Sequence, residues 1–400
     1  MVGERLPVGV ERIVVAGAGL AGLRTVEELR LAGYEGTLSL IGAERRPPYD
    51  RPPLSKQLMS GAVDDTSLRA ELDSLDVRLA LGECAERLDE GSLHTDRGDY
   101  PFDRLVIATG ARPVALPGPG RQWFLRSIDD ALELRAALRP GTRLAIIGAG
   151  WIGAELATAA AAKGCQVMVV EAGAAPLAVA LGAQVGAFTA PWYEQAGVEL
   201  MLGLAVESVQ DGGLSLAGGG WLAADVIVTA VGVRPEVGWL SSSGVTLDNG
   251  VSVDEYLRSS VPGVYAVGDC AAFWSGRFAR RLRTEHWDGA LRAPAVLAAN
   301  LIGLGLGERY DPVPYFWSEQ FGRMLQYVGH HAGADQLVLR GDPTSPQWTA
   351  CWLDGRRLVA VLTVDRPKDL MQGRRLIESA APVDHDKLAD PAVPLRATAT

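Results

Sequence analysis

Ile13-Val14-Val15-Ala16-Gly17-Ala18-Gly19-Leu20-Ala21-Gly22 is a short apolar run that stops at a GxGxxG turn and passes into a helical pattern ending near Ala32. Thr37-Leu38-Ser39-Leu40-Ile41-Gly42-Ala43-Glu44 then reads as a second strand closing on an acid. Strand, glycine turn, helix, strand and acid in that order form the βαβ dinucleotide fingerprint in its proper context. The first glycine permits the tight turn, the second lets the backbone approach a pyrophosphate, and the third lets the helix pack on the strand. The helix N-terminus then faces the phosphates. The unit recurs at Leu144-Ala145-Ile146-Ile147-Gly148-Ala149-Gly150-Trp151-Ile152-Gly153, which leads into an alanine-rich helix to Lys163. Gln166 to Val170 follows as a strand that ends at Glu171. A lone GxGxxG is weak evidence, because apolar strands ending in glycine are common in any parallel sheet. Two complete copies on one chain point to two nucleotide cofactors that exchange electrons.

Further strands fall into place around these units. Leu105-Val106-Ile107-Ala108-Thr109-Gly110 and Val226-Ile227-Val228-Thr229-Ala230-Val231-Gly232 are a second matched pair, each a buried strand stopping at a glycine. Val264-Tyr265-Ala266-Val267-Gly268-Asp269 is another strand, here expected to run into a helix with Asp269 near its start. From about Asp311 the character changes to an aromatic cluster, Tyr315-Phe316-Trp317, and alternating strands such as Gln336 to Arg340. The last residues, rich in Ala, Pro and Asp, are expected to fray into a flexible tail.

Composition removes several classes of function. Four hundred residues make two to three domains, with core enough to stand without disulfides or a structural metal. The chain is 48% apolar and 22% charged, which fits a folded globular protein. Its 38 basic and 48 acidic residues leave a net charge of −10, so it lacks the positive field of a nucleic-acid binder. Cys84, Cys165, Cys270 and Cys351 lie far apart and form no CxxC or Cys/His ligand pattern, so neither a metal nor a disulfide framework is expected. With no signal-peptide pattern, this composition reads as cytoplasmic. The most apolar run, Leu144 to Ala162, carries Glu155 and a glycine cluster, which makes it a poor membrane span.

Several longer stretches carry a resemblance. Alongside the two glycine turns stand Pro48-Tyr49-Asp50-Arg51-Pro52-Pro53-Leu54-Ser55-Lys56, Ala108-Thr109-Gly110, Gly268-Asp269, Glu285-His286-Trp287 and Pro314-Tyr315-Phe316-Trp317-Ser318-Glu319-Gln320. Over almost its whole length the chain resembles the NADH-dependent ferredoxin reductases of bacterial oxygenase systems, flavoproteins with a glutathione-reductase-like fold. Rubredoxin reductases and apoptosis-inducing factor are further relatives. The resemblance implies an α/β fold with two Rossmann-like dinucleotide-binding domains and a C-terminal α+β domain. The FAD-binding domain would comprise 1–111 and 241–310, the NADH-binding domain 112–240, and the C-terminal domain 311–400.

The same resemblance distributes roles. FAD, bound non-covalently, would lie on Gly17, Ala18, Gly19, Leu20, Ala21 and Gly22, with Glu44 accepting both hydroxyls of the adenosine ribose. Arg51 can neutralise the pyrophosphate, Ala85 would meet the adenine, and Arg126 would lie near the FAD. Ala108, Thr109 and Gly110 close the same sheet; Gly268 lets the backbone come close, and Asp269 can bind a ribityl hydroxyl or cap a helix. Trp287, preceded by His286, and Trp317 would lie against the isoalloxazine as flat walls. NADH would occupy Gly148, Gly150, Trp151, Ile152 and Gly153, with Gly232 and Glu285 nearby. Glu171 accepts the ribose 2′-hydroxyl and repels a 2′-phosphate, while Ala172 and Gly173 offer no cation, so NADH is favoured over NADPH. Lys56 is placed beside flavin N5 and Glu155 near the nicotinamide, as an ion pair. A cation at N5 favours negative charge on the reduced ring, and the glutamate can hold that cation in place. Two positions depart from the pattern. Val179 stands where relatives often carry arginine, so the adenosine end of NADH is expected to be held less tightly. Pro294 stands where they usually carry glycine, so the helix after it is expected to start differently.

An absence completes the expectation. Arg45 to Ser60 contains no cysteine, where disulfide reductases of this fold place a redox pair. Electrons that arrive as hydride must therefore leave directly to an outside acceptor. A 2Fe-2S ferredoxin is the expected partner, with a rubredoxin as the alternative. A non-catalytic redox sensor resembling apoptosis-inducing factor is the reading from another class. Arg277, Arg280, Arg281 and Arg283 are candidates for docking an acidic partner, and the chain is expected to be a monomer or weak dimer.

Overall fold

Contact density divides the chain into two units in the computed structural model, which describes residues 10–68, 72–303 and 307–400. One unit takes the described residues up to Asp50 with Ser67–Arg112 and Arg234–Pro314; the other takes Arg51–Thr66, Pro113–Val233 and Tyr315–Thr400.

The first unit is built on β1 (Arg12–Ala16), α1 (Leu20–Leu31) and β2 (Thr37–Gly42). All but the first residue of β1 and of β2 are buried, as apolar runs in a parallel sheet covered on both faces must be. The sheet runs Val264–Ala266, Arg104–Ile107, β1, β2, Val77–Leu81, every neighbour parallel. The chain therefore starts in the middle and winds outward both ways, which is the doubly wound order. Helix Trp287–Leu301 packs against α1. Pro294 lies inside this helix rather than ahead of it. Lacking an N–H, it forfeits one helical hydrogen bond, and it is buried. The strand before Gly268 does not run into a helix as expected. Gly268 at φ 72° turns the chain through a short 3₁₀ segment, Gly268–Cys270, into another strand, Ala271–Ser275.

The second unit repeats the plan with β3 (Arg143–Ile147), α2 (Trp151–Ala162) and β4 (Gln166–Glu171). Its parallel sheet runs Glu199–Leu202, β4, β3, Val226–Thr229. The same unit carries a five-stranded antiparallel sheet that begins with β5 (Tyr315–Gln320) and β6 (Arg323–Gly329) and continues through Arg357–Val364, Trp348–Asp354 and Gln336–Arg340. Helix Pro367–Ser379 packs on this sheet, so the last segment is α+β. The chain end does not fray. Arg340, fully buried, donates to the carbonyls of Leu388, Asp390 and Val393, and Leu388, Leu395 and Thr398 are buried with it. A buried guanidinium needs several acceptors, and the tail supplies them. Among the described residues no helix is long and apolar enough to cross a membrane.

Candidate functional site

Each unit has one glycine turn, and the two are built alike. A Cβ on Gly17 would lie 2.1 Å from the carbonyl oxygen of Ala108, and one on Gly22 would lie 1.8 Å from the carbonyl oxygen of Gly17. The outer glycines are thus filled by backbone. A Cβ on Gly19 would meet no atom within 4 Å. In the second turn Gly148 and Gly153 are closed by Ala230 and Gly148 backbone in the same way, and Gly150 is open. Strand ends Ala108-Thr109-Gly110 and Ala230-Val231-Gly232 therefore each sit over the first glycine of a turn, as their pairing in the sequence implies.

The helices behind these turns are bare at their positive ends. Neither α1 nor α2 has a side-chain cap or an acid in its first turn. Helix Ile128–Ala137, by contrast, has a Ser127/Asp130 capping box and acids in its first turn. Uncapped N–H groups behind an open glycine form the cradle that a diphosphate fits, so the residues present suit a dinucleotide in each unit.

The acids that close the two fingerprints are both engaged. Glu44 accepts from the Tyr49 hydroxyl at 2.5 Å. Glu171 accepts from the amides of Ala149, at 2.8 Å, and Gly173, at 2.7 Å. It thus braces its own glycine turn while each oxygen keeps acceptor capacity for a ribose hydroxyl. Val179 is wholly exposed, and its apolar side chain offers no cation. In the first unit Trp287 Nε1 donates to Asp50 at 2.7 Å and Thr109 donates to the Glu236 carbonyl at 2.6 Å. His286 is the N-cap residue of the helix that Trp287 opens, and Ala85 begins the strand Ala85–Asp89. In the second unit Arg51 donates to the Arg126 carbonyl at 2.6 Å, which brings those two expected residues together.

Lys56 and Glu155, far apart in sequence, meet at 2.7 Å with side chains only 12% and 2% exposed. Two further donors to this carboxylate are not among the residues expected from the sequence. Ser55 donates to the same carboxylate oxygen at 2.5 Å, and Ser318 donates to the second oxygen at 2.6 Å. Gln320 donates to Ser318 at 3.0 Å. Strand alternation is the signal that could have found Ser318, since Phe316, Ser318 and Gln320 share one face of β5 while Trp317 points the other way.

The four arginines do not form one free patch. Arg280 and Arg281 are adjacent on a strand, opposite Ser275 and Trp274, and so point to opposite faces. Arg281 donates to the carbonyls of Val253 and Ala272, both at 2.7 Å. Arg283 is 10% exposed and pairs with Glu285 at 2.6 Å. Arg277 lies on the exposed hairpin, its amide bound to Asp311. The cysteines are free. Burial pushes the Cys270 thiol up to about 11 and the Cys351 thiol up to about 12, and it raises Cys84 and Cys165 as well. None has the lowered pKa of a redox-active thiol.

Glycine turns, bare helices and parallel sheets in duplicate define a two-nucleotide oxidoreductase. Residues 11–293 match the family model described as pyridine nucleotide-disulphide oxidoreductase, and residues 315–399 match the one described as reductase C-terminal. The chain belongs to this family, in its FAD-dependent ferredoxin reductase branch. It is 35% identical over 399 residues, 97% of this chain and 98% of the relative, to the ferredoxin–NAD(+) reductase component of the p-cumate 2,3-dioxygenase system of Pseudomonas putida. Among solved structures, Fdr9 superposes with a TM-score of 0.94 at 48% identity, covering 96% of this chain and 99% of that one. The covalent putidaredoxin reductase–putidaredoxin complex gives 0.92 at 31% identity, covering 96% and 97%.

Proposed function

We propose that the protein is an FAD-dependent NADH:ferredoxin oxidoreductase that serves an oxygenase in the cytoplasm. The observation that carries this reading is the pair of open glycine turns, each backed by an uncapped helix, on a chain whose relatives are ferredoxin reductases. Family resemblance assigns FAD to the turn at Gly17 and NADH to the turn at Gly148, within the domain limits 1–111 with 241–310, 112–240 and 311–400. Bound FAD supplies the conversion of a two-electron hydride into single electrons. Glu44 and Glu171 then accept ribose hydroxyls, and the bare helix ends hold the diphosphates. Arg51 neutralises the FAD pyrophosphate, with Arg126, Ala85, Asp269, His286, Trp287 and Trp317 completing its surroundings; Gly232 and Glu285 belong with NADH. Lys56 is the cation presented to the flavin, and the buried Glu155 offsets its charge.

The thiols support direct exit of electrons to a partner, because all four have raised pKa values and none lies in the Arg45 to Ser60 segment. A 2Fe-2S ferredoxin fits that exit, with Arg277 and Arg280 steering it toward the protein. The deciding experiment is NADH-driven reduction of a purified 2Fe-2S ferredoxin, followed at the cluster's visible absorbance. Rapid turnover with ferredoxin is expected. Slow reduction of every acceptor together with a long-lived charge-transfer band would make the protein a redox sensor instead.

A further inference from the structure

Three contacts zip α2 to β5. Trp151 meets Phe316 with ring centroids 4.6 Å apart, Ser318 donates to Glu155 at 2.6 Å, and the Phe321 amide just beyond β5 donates to Thr158 at 3.0 Å. Helix residues 151, 155 and 158 share one face at helical spacing, and strand residues 316 and 318 share one face at strand spacing. The helix that rises from the second glycine turn is therefore registered by the antiparallel sheet.

From this we infer that Ser318 is a positioning residue, whose hydroxyl holds the Glu155 carboxylate turned toward Lys56. Ser318 and Gln320 are both fully buried. The Gln320 amide donates into the Ser318 oxygen at 3.0 Å, so the single hydroxyl proton is left to point at Glu155. The backbone beneath is rigid, since Ser318 pairs with Leu325 and Gln320 with Arg323 across an antiparallel ladder. Lys56 and Ser55 share one oxygen of the carboxylate, and Ser318 alone among these donors holds the other. Among the described residues Lys56 is the one charged side chain in ion-pair reach of Glu155; β5 presents it only the uncharged Ser318 and Gln320. Ser318 thus fixes the carboxylate in the orientation that reaches Lys56, and without it the second oxygen loses its donor.

The inference rests on the proposed placement of Lys56 beside the flavin, and the test separates the two. The midpoint potential of the bound FAD is measured by reductive titration at neutral pH in the wild type, Ser318→Ala, Ser318→Thr and Glu155→Gln. In Ser318→Ala the potential should move in the same direction as in Glu155→Gln and part of the way toward it, because the carboxylate is no longer held against Lys56. Ser318→Thr, which keeps the hydroxyl, should follow the wild type. If Ser318→Ala does not retain FAD, Ser318→Cys, of nearly the same size with a weak donor, should show a smaller displacement in the same direction. A Ser318→Ala or Ser318→Cys curve that overlays the wild type while Glu155→Gln departs from it overturns the inference. If Glu155→Gln overlays it too, Lys56 and Glu155 do not act on the flavin, and the placement itself fails.

Discussion

Replacing Glu171 with Ala probes the choice of nicotinamide donor, and the structure bounds the effect. The carboxylate has about four acceptor positions, of which the Ala149 and Gly173 amides take two. At most two remain for ribose hydroxyls. One or two net hydrogen bonds are worth about 1–2 kcal/mol, or roughly a 5- to 30-fold loss in kcat/KM for NADH. Discrimination against NADPH has a second source. A 2′-phosphate carries nearly two negative charges, and at about 4 Å each repels a carboxylate by ~1 kcal/mol in water and more in a less polar setting. Together these amount to at least ~3 kcal/mol, so the wild type should prefer NADH by roughly a hundredfold or more. In Glu171→Ala that preference should collapse, with NADH turnover falling and NADPH turnover rising.

Initial-rate kinetics with ferricyanide and each nucleotide reads this directly, because a small acceptor keeps ferredoxin docking out of the measurement. Glu171→Gln is expected to do no better than Glu171→Ala. Its NH₂ group would face the amide of Ala149 or Gly173 donor to donor. If Glu171→Ala keeps NADH kcat/KM within about twofold, below the effect of one hydrogen bond, Glu171 is only the brace of its glycine turn. A wild type that uses both nucleotides equally would likewise leave Glu171 no part in choosing between them.

The purified protein should be yellow and hold one non-covalent FAD per chain, measured by absorbance after acid release; FMN, or two flavins, would contradict the split between the two turns. Charge reversal of Arg277 and Arg280 should slow ferredoxin reduction, spare ferricyanide reduction, and lose its effect as salt rises. Arg281 is left out of that test because it binds two backbone carbonyls, so its reversal would disturb the hairpin itself. Equal loss with both acceptors would show that the hairpin arginines are structural. Arg340→Met should release the chain end, read as cleavage between residues 384 and 400 by a protease that spares the wild type; an uncut tail would show that Leu388 and Leu395 hold it without the guanidinium.

What is legible in the sequence is whatever is decided locally. A glycine turn announces itself in about ten consecutive residues, so both turns, their strands and their closing acids can be read off one segment each, although Ala108 and Ala230 close the first glycines from far along the chain. Pairings between distant residues are not legible in that way. Lys56 and Glu155 come together through resemblance alone. Strand alternation puts Ser318 on the face opposite Trp317, but nothing local says that a carboxylate from a distant helix meets it there. Two expectations fail for one cause. Composition has Asp269 opening a helix and the tail fraying, but in each case a distant or backbone constraint decides. The φ of Gly268 redirects the chain into a strand, and the buried guanidinium of Arg340 fastens the tail through its carbonyls. A polar, Ala/Pro-rich segment is ordered when a buried cation elsewhere needs its carbonyls, and that need shows only once the strand carrying Arg340 has an inside. The same holds for the site. Its chemistry depends on one carboxylate buried by a helix, a proline-rich turn and a strand, and no window of the sequence contains all three.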